Sequence, residues 1–219
     1  MSYRVKEMFY TLQGEGAQQG RASVFCRFTK CNLWNGREDS RATAVCNFCD
    51  TDFIGTDGQN GGIYATATEL AAKAVSLWPA AAQGQPWLVC TGGEPLLQLD
   101  TPLVTAFQQA GFQVAIETNG TLPVPAGVDW VCMSPKGRAT VVLEACDELK
   151  LVYPQQDARP EQFDHIRACY RYLSPMADHA WTTGEDPLKQ SNTRMALAYC
   201  LQHPEWRLSL QVHKLLGID

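Results

Sequence analysis

Three cysteines, Cys31, Cys46 and Cys49, stand in the pattern C-x14-C-x2-C. Three thiols close in sequence can hold an iron–sulfur cluster by three of its four irons, leaving the fourth open to a substrate or cofactor. An electron-transfer site with four cysteine ligands has no need of such an opening. Cys49 leads directly into Asp50-Thr51-Asp52, and Gly92-Gly93-Glu94 follows the next apolar run. These features point to a cluster that takes part in chemistry. A structural zinc site is the competing reading, and such sites are closed by four Cys or His ligands. The four histidines, His165, His179, His203 and His213, are all distant in sequence. Cys26 is the one nearby thiol. Strand alternation places it with Val24 and Phe28, on the face that meets helices, opposite Phe25 and Arg27. Cys90, Cys132, Cys146, Cys169 and Cys200 sit in apolar runs or helices and read as buried free thiols.

The elements that must position these residues alternate between strand and helix. Strands are expected at 23–28, 87–91, 112–117, 129–133, 148–152, 170–174 and 207–212. The first helix starts at a capping box, Thr66-Ala67-Thr68-Glu69, and runs through Leu70, Ala74 and Leu77 to Trp78. Further helices are expected at 101–110, 161–168 and 192–202. Such alternation argues for a parallel sheet with crossover helices. The expected fold is α/β, an incomplete, open (β/α) barrel of about six parallel strands with an inserted cluster-binding loop. A doubly wound sheet is the second choice. One domain spans 1–219, with an N-terminal extension at 1–20 and the cluster loop at about 29–62. Chemistry gathers at the carboxyl ends of strands in either architecture. Cys31, Gly92-Gly93-Glu94, Glu117-Thr118-Asn119-Gly120, Ser134-Pro135-Lys136, Ser174-Pro175-Met176 and His213 all fall there.

Composition sets outer bounds. The 219 residues are 45% hydrophobic, enough for a sizeable core, and the net charge is −5 without any block of like charge. Neither nucleic acid nor membrane is an expected partner. The nine cysteines are an odd number with no apolar signal segment before them, which suggests a reducing cytoplasm rather than a disulfide framework.

With the glycine–glycine–acid motif added, the chain resembles the radical S-adenosylmethionine (SAM) superfamily. Within it, the long spacing between Cys31 and Cys46 is similar to that of the 7-carboxy-7-deazaguanine synthases of queuosine biosynthesis. Residues 7–16 (EMFYTLQGEG), 25–28 (FCRF), 46–52 (CNFCDTD), 91–95 (TGGEP), 117–120 (ETNG), 134–136 (SPK) and 211–214 (QVHK) match that family in order. Ser174 departs from it, since the family carries Gln before Pro-Met.

The resemblance implies a lyase that converts 6-carboxy-5,6,7,8-tetrahydropterin to 7-carboxy-7-deazaguanine and ammonia. It implies a [4Fe-4S] cluster on Cys31, Cys46 and Cys49, and Mg2+ at Thr51. SAM would be held by Phe48, Asp50, Gly92, Gly93, Glu94, Glu117, Ser134, Lys136, Ser174 and Met176. The substrate would meet Leu12, Gln13, Gly14, Glu15, Arg27, Thr91, His213 and the carboxylate of Asp219, with Glu15 and His213 as acid–base candidates. Arg27 points into the barrel, where its planar fork suits a carboxylate. The last strand is read with Arg207, Ser209, Gln211 and His213 as a polar face. A homodimer and a flavodoxin or ferredoxin reductant are expected. A glycyl-radical activase and a zinc-stapled binding module are the alternatives.

Overall fold

In a computed structural model of the chain, which describes residues 2–181 and 184–218, a nine-stranded sheet forms the spine. Its strands are β1 (Tyr3–Leu12), β2 (Ala22–Phe28), β3 (Gly62–Tyr64), β4 (Trp87–Gly92), β5 (Gln113–Thr118), β6 (Trp130–Met133), β7 (Ala145–Tyr153), β8 (Arg167–Pro175) and β9 (Trp206–Leu208). The spatial order is β3-β1-β2-β4-β5-β6-β7-β8-β9. β2 and β4 through β9 are parallel, whereas β1 runs antiparallel to both β2 and β3. β3 and β9 lie at opposite ends of this order, so the barrel stays open, as expected. The helices are α1 (Ala67–Leu77), α2 (Thr101–Gln109), α3 (Pro187–Gln202) and α4 (Val212–Leu216).

The first helix starts as its sequence dictates. The Thr66 hydroxyl accepts from the Glu69 N–H at 3.1 Å, and the Glu69 carboxylate reaches back to the Ala65 N–H at 2.8 Å. Asp100 caps α2 through the Leu103 N–H at 3.0 Å, with Pro102 in the first turn. α1 buries Leu70, Ala71 and Ala74, and α2 buries Leu103, Val104 and Phe107, against Val24, Cys26, Phe28, Leu88, Cys90, Val114 and Ile116 of the sheet. Cys26 is thus a core thiol. Alternate residues turn to the concave face. There Phe25, Trp87, Val89, Ala115 and Trp130 form an apolar floor. One alternation further along, the strands carry Arg27, Thr91, Glu117 and Lys150, so the inner face becomes polar toward the strands' carboxyl ends.

Four expectations differ from the structure. The segment expected as a helix at 161–168 holds only the 3-10 turn Pro160–Phe163. The Arg171 guanidinium takes the Phe163 and Ile166 carbonyls, and Arg167 has already begun pairing with β7. The last strand is also shorter than expected. β9 ends at Leu208, Ser209 is buried with its hydroxyl accepting from the Gly16 N–H at 2.9 Å, and His213 lies on α4. The Val212 N–H donates to Gly14 O at 3.0 Å, which turns the chain away from the sheet. β1 was not anticipated as a strand. Finally, Cys169 is exposed, and Cys146 and Cys200 are half-buried, rather than core thiols.

The extension at 1–20 therefore contains a full strand. After β1, residues 13–18 cross the concave face of the sheet. Gln13 reaches Glu117, Glu15 reaches Lys150, and the Ala17 N–H donates to Glu148. This strut is tied to both halves of the sheet. A Cβ at Gly14 would strike the His213 ring and one at Gly16 the Glu148 carboxylate, so only glycine permits that approach.

Candidate active site

The insertion between Cys31 and Cys46 is an ordered excursion. The Val45 N–H donates to Leu33 O at 3.2 Å, which closes the loop and returns Cys46 to the neighbourhood of Cys31. Its middle is the 3-10 turn Glu38–Thr43. The Arg41 guanidinium lies over the Trp34 ring at 4.0 Å and donates to the Cys49 carbonyl at 2.8 Å. The loop thus has supports of its own, independent of anything the thiols bind.

Gly92 and Gly93 were expected to let backbone approach SAM, and the structure shows a nearer reason for them. A Cβ on Gly92, at φ +132°, would strike the Phe28 backbone. One on Gly93 would strike Lys30 O and approach Cys31 Cβ to 2.9 Å. The Glu94 N–H donates to Lys30 O at 2.9 Å, so this turn clamps the segment that carries the first cysteine. Gly93→Ala should therefore push that segment outward, at a packing cost of about 1–3 kcal/mol. Lower iron per reconstituted chain, with a reduced melting temperature, is the expected result.

Glu94, expected to meet SAM, has structural partners of its own. Its side chain is fully buried and does not line the cavity. Oε1 accepts from the Thr118 hydroxyl at 2.8 Å and the Leu96 N–H at 3.0 Å, and Oε2 accepts from the Asn119 N–H at 2.8 Å. Burial pushes its carboxyl up. Glu94 pins the β4 turn to the β5 turn. Glu94→Ala would leave buried donors unpaired and should cost about 3 kcal/mol in chemical denaturation. A loss below about 1 kcal/mol would contradict this role.

The remaining described site residues meet around one cavity of about 410 Å³. Cys31, Cys46, Cys49, Phe48, Asp50, Thr51, Gly92, Gly93, Ser134, Lys136, Ser174 and Met176 line it, and so do Leu12, Gln13, Gly14, Glu15, Arg27, Thr91, Glu117 and His213. Asp219 lies outside the described residues. Glu117, expected near SAM, instead accepts from Gln13 Nε2 at 3.0 Å and stands 3.5 Å from Lys150 Nζ, among residues expected to meet substrate.

The electrostatics differ between the two groups. Cys49 and Cys46 share a hydrogen bond that draws the Cys49 thiol down to about 6 and pushes Cys46 up, while burial raises Cys31. A thiolate is therefore available at neutral pH. Among the described residues no three His, Cys, Asp or Glu side chains converge to share a single metal ion. A soft three-thiol set lining one cavity is the donor type that an iron–sulfur cluster takes. Elsewhere, Arg27 Nε donates to Glu7 Oε1 at 2.7 Å, which fixes the plane of its fork. Burial lowers the His213 imidazole pKa below its ordinary value, more than Glu15 raises it. Lys214 Nζ meets Asp50 Oδ2 at 2.6 Å and ties α4 to the cysteine loop.

Lys6, Glu7 and Lys150 also line the cavity and were not anticipated there, whereas Gln211 lines it as its place on the polar face implied. Lys150 had a visible signal. In Glu148-Leu149-Lys150-Leu151, strand alternation sets both charges opposite the two leucines.

An open (β/α) barrel with three thiols lining its cavity defines a radical SAM enzyme, whose class entails a [4Fe-4S] cluster and SAM. No family model matches the chain. It is 57% identical to a 7-carboxy-7-deazaguanine synthase from Bordetella pertussis and 55% identical to one from Caulobacter vibrioides, each over the full length of both chains. The crystal structure of QueE from Escherichia coli superposes with a TM-score of 0.68 at 26% identity, covering 96% of this chain and 94% of that one. The chain belongs to the 7-carboxy-7-deazaguanine synthase family. That membership decides against the activase and the zinc-stapled module.

Proposed function

We propose that this chain converts 6-carboxy-5,6,7,8-tetrahydropterin to 7-carboxy-7-deazaguanine with loss of ammonia, through the residues that line the cavity. The observation that carries the residue assignment is that one cavity collects both sets of side chains. The three thiols line it together with Arg27, Gln13, Glu15, Glu117 and His213. Cys31, Cys46 and Cys49 would hold the cluster. Phe48, Asp50, Gly92, Gly93, Ser134, Lys136, Ser174 and Met176 would surround SAM. When bound, the cluster and SAM supply a carbon radical that removes a hydrogen atom from the substrate.

The chain's own residues orient and exclude. Arg27 offers its fork to the substrate carboxylate. Glu15 and Glu117 accept from the pyrimidine edge, the Gln13 amide can do either, and Thr91 adds a hydroxyl. The Nδ1 and Cγ side of the His213 ring packs on Gly14, so Nε2 is the nitrogen left to give or take a proton at the departing amine. The Thr51 hydroxyl would hold Mg2+, with water and substrate oxygens completing its shell. Among the described residues no helix is long and apolar enough to cross a membrane. All nine cysteines are free, which supports a reducing cytoplasm, and the net charge of −5 gives no general attraction to nucleic acid. A homodimer reduced by flavodoxin or ferredoxin completes the reading. Anaerobic incubation of the reconstituted protein with the carboxy-tetrahydropterin, SAM and reductant should give a product with the mass of 7-carboxy-7-deazaguanine. Cleavage of SAM without that product would overturn the substrate.

A further inference from the structure

Lys150 sits on β7 with its ammonium sunk into the cavity wall, its side chain 6% exposed. Nζ stands 2.8 Å from Glu15 Oε2 and 3.5 Å from Glu117 Oε1. Glu15 arrives on the strut after β1, and Glu117 from the carboxyl-terminal part of β5. Three separate elements therefore converge on one cation. Gln13 Nε2 donates to Glu117, and the Glu15 N–H donates to Gln13 Oε1 at 3.2 Å, so the side chains form one network. Burying an ammonium is costly unless its partners are held. Neutral amides at 15 and 117 would have removed the need for it. The network is thus built to keep carboxylates, not merely to pack the wall.

We infer that Lys150 is a positioning residue that holds Glu15 and Glu117 as a fixed pair of acceptors, so that the cavity selects a heterocycle edge with adjacent N–H donors. The 2-amino-4-oxo edge of a pterin is such an edge. An ionised carboxylate can only accept, whereas a protonated one also donates and would tolerate a carbonyl at the same place. Fixing the protonation state is therefore a means of rejecting the 2,4-dioxo analogue. The inference rests on the placement of Glu15 and Glu117 against the substrate.

The surrounding charges give the direction. Burial pushes the Glu15 carboxyl up, but Lys150 and then His213 draw it below its ordinary value, while Asp50 opposes them. Lys189, on α3, also feels Glu15. Lys150 itself is faced by Cys132, Glu117, Glu15 and Glu148, which together hold it charged against burial. Without Lys150, the two largest downward influences are gone, His213 alone opposes burial and Asp50, and the Glu15 carboxyl rises. Binding that needs the ionised form is then lost as pH falls, starting from a higher pH than in the wild type.

The test uses 6-carboxypterin and 6-carboxylumazine as probes, with binding to the cluster-reconstituted chain followed by fluorescence. The wild type should prefer the pterin by at least about tenfold. Its affinity should stay level from about pH 7.5 to about pH 5. In K150M the preference should shrink to within about threefold, and pterin binding should weaken below about pH 7. K150R should restore both. Wild-type selectivity and pH profile retained in K150M would overturn the inference while leaving the substrate subsite intact. Failure of the wild type to bind 6-carboxypterin would overturn the subsite placement beneath it. Should K150M not fold, the wild-type profile still decides: an acid limb well above about pH 5, or equal affinity for the two probes, overturns the inference.

Discussion

Replacing Cys31, Cys46 and Cys49 together by alanine should give a folded protein that is colourless, binds no iron–sulfur cluster and forms no product. The expected loss of turnover is at least about 10⁶-fold, because the radical step has no route that uses side chains alone. The fold should survive. The excursion between the first two cysteines is closed by Val45 on Leu33 and clamped by Arg41 against Trp34 and the Cys49 carbonyl. Phe53 packs edge-on against Trp34, and Lys6 ties the following acidic segment through Asp52 and Asp57, each at 2.9 Å. None of these contacts needs a thiol side chain. Iron analysis, visible absorbance and circular dichroism on one preparation separate the outcomes. A brown triple variant that still cleaves SAM would remove the thiols from their assigned role, and a colourless unfolded one would show that the loop depends on its metal.

Arg27→Ala should be the most damaging single change away from the thiols. The guanidinium lies on the inner face of β2 beside the cavity, with its Nε committed to Glu7. Truncation removes the partner for the substrate carboxylate and leaves Glu7 beside that carboxylate as an uncompensated like charge. Losing one member of a desolvated charge pair costs about 2–5 kcal/mol, or roughly thirty-fold to several-thousand-fold in kcat/KM. Most of the loss should appear as a raised KM, since the carboxylate is charged before and during the reaction. Arg27→Lys should recover only part of it, because an ammonium cannot present the two parallel donors of the fork. A kcat/KM within about threefold of the wild type in Arg27→Ala would exclude the carboxylate contact.

Much of this site was legible in the chain because its motifs end successive strands. In a parallel sheet every strand delivers its carboxyl end to the same rim, so short motifs far apart in sequence meet without any knowledge of side-chain packing. The alternation that puts Cys26 in the core and Arg27 in the cavity is likewise a property of any extended strand. β1 escaped notice for a specific reason. The register shifts between Val5 and Glu7, and this irregularity breaks the period-two pattern that marks a strand. The last strand was overextended because alternation continued past Leu208 into residues that the structure turns into α4. Hydrogen bonding to the Gly14 carbonyl, almost two hundred residues away, ended that strand, and no local signal reports it.

Local pattern alone determined the sheet's parallel core, the capped start of α1, the proline in the first turn of α2, the three-thiol set and the inward aim of Arg27. Each of these follows from neighbours in sequence: a hydroxyl three residues before a glutamate, or a side-chain period of two. Tertiary structure alone decided that Glu94 spends both oxygens on loop backbone and the Thr118 hydroxyl, that the glycine pair makes room for Lys30 and Cys31, and that Lys150 stands between two carboxylates. Whether a buried charge or a glycine serves a ligand or its own chain depends on which distant segment packs against it. That is settled only when the strut of residues 13–18 and the cysteine loop close over the sheet.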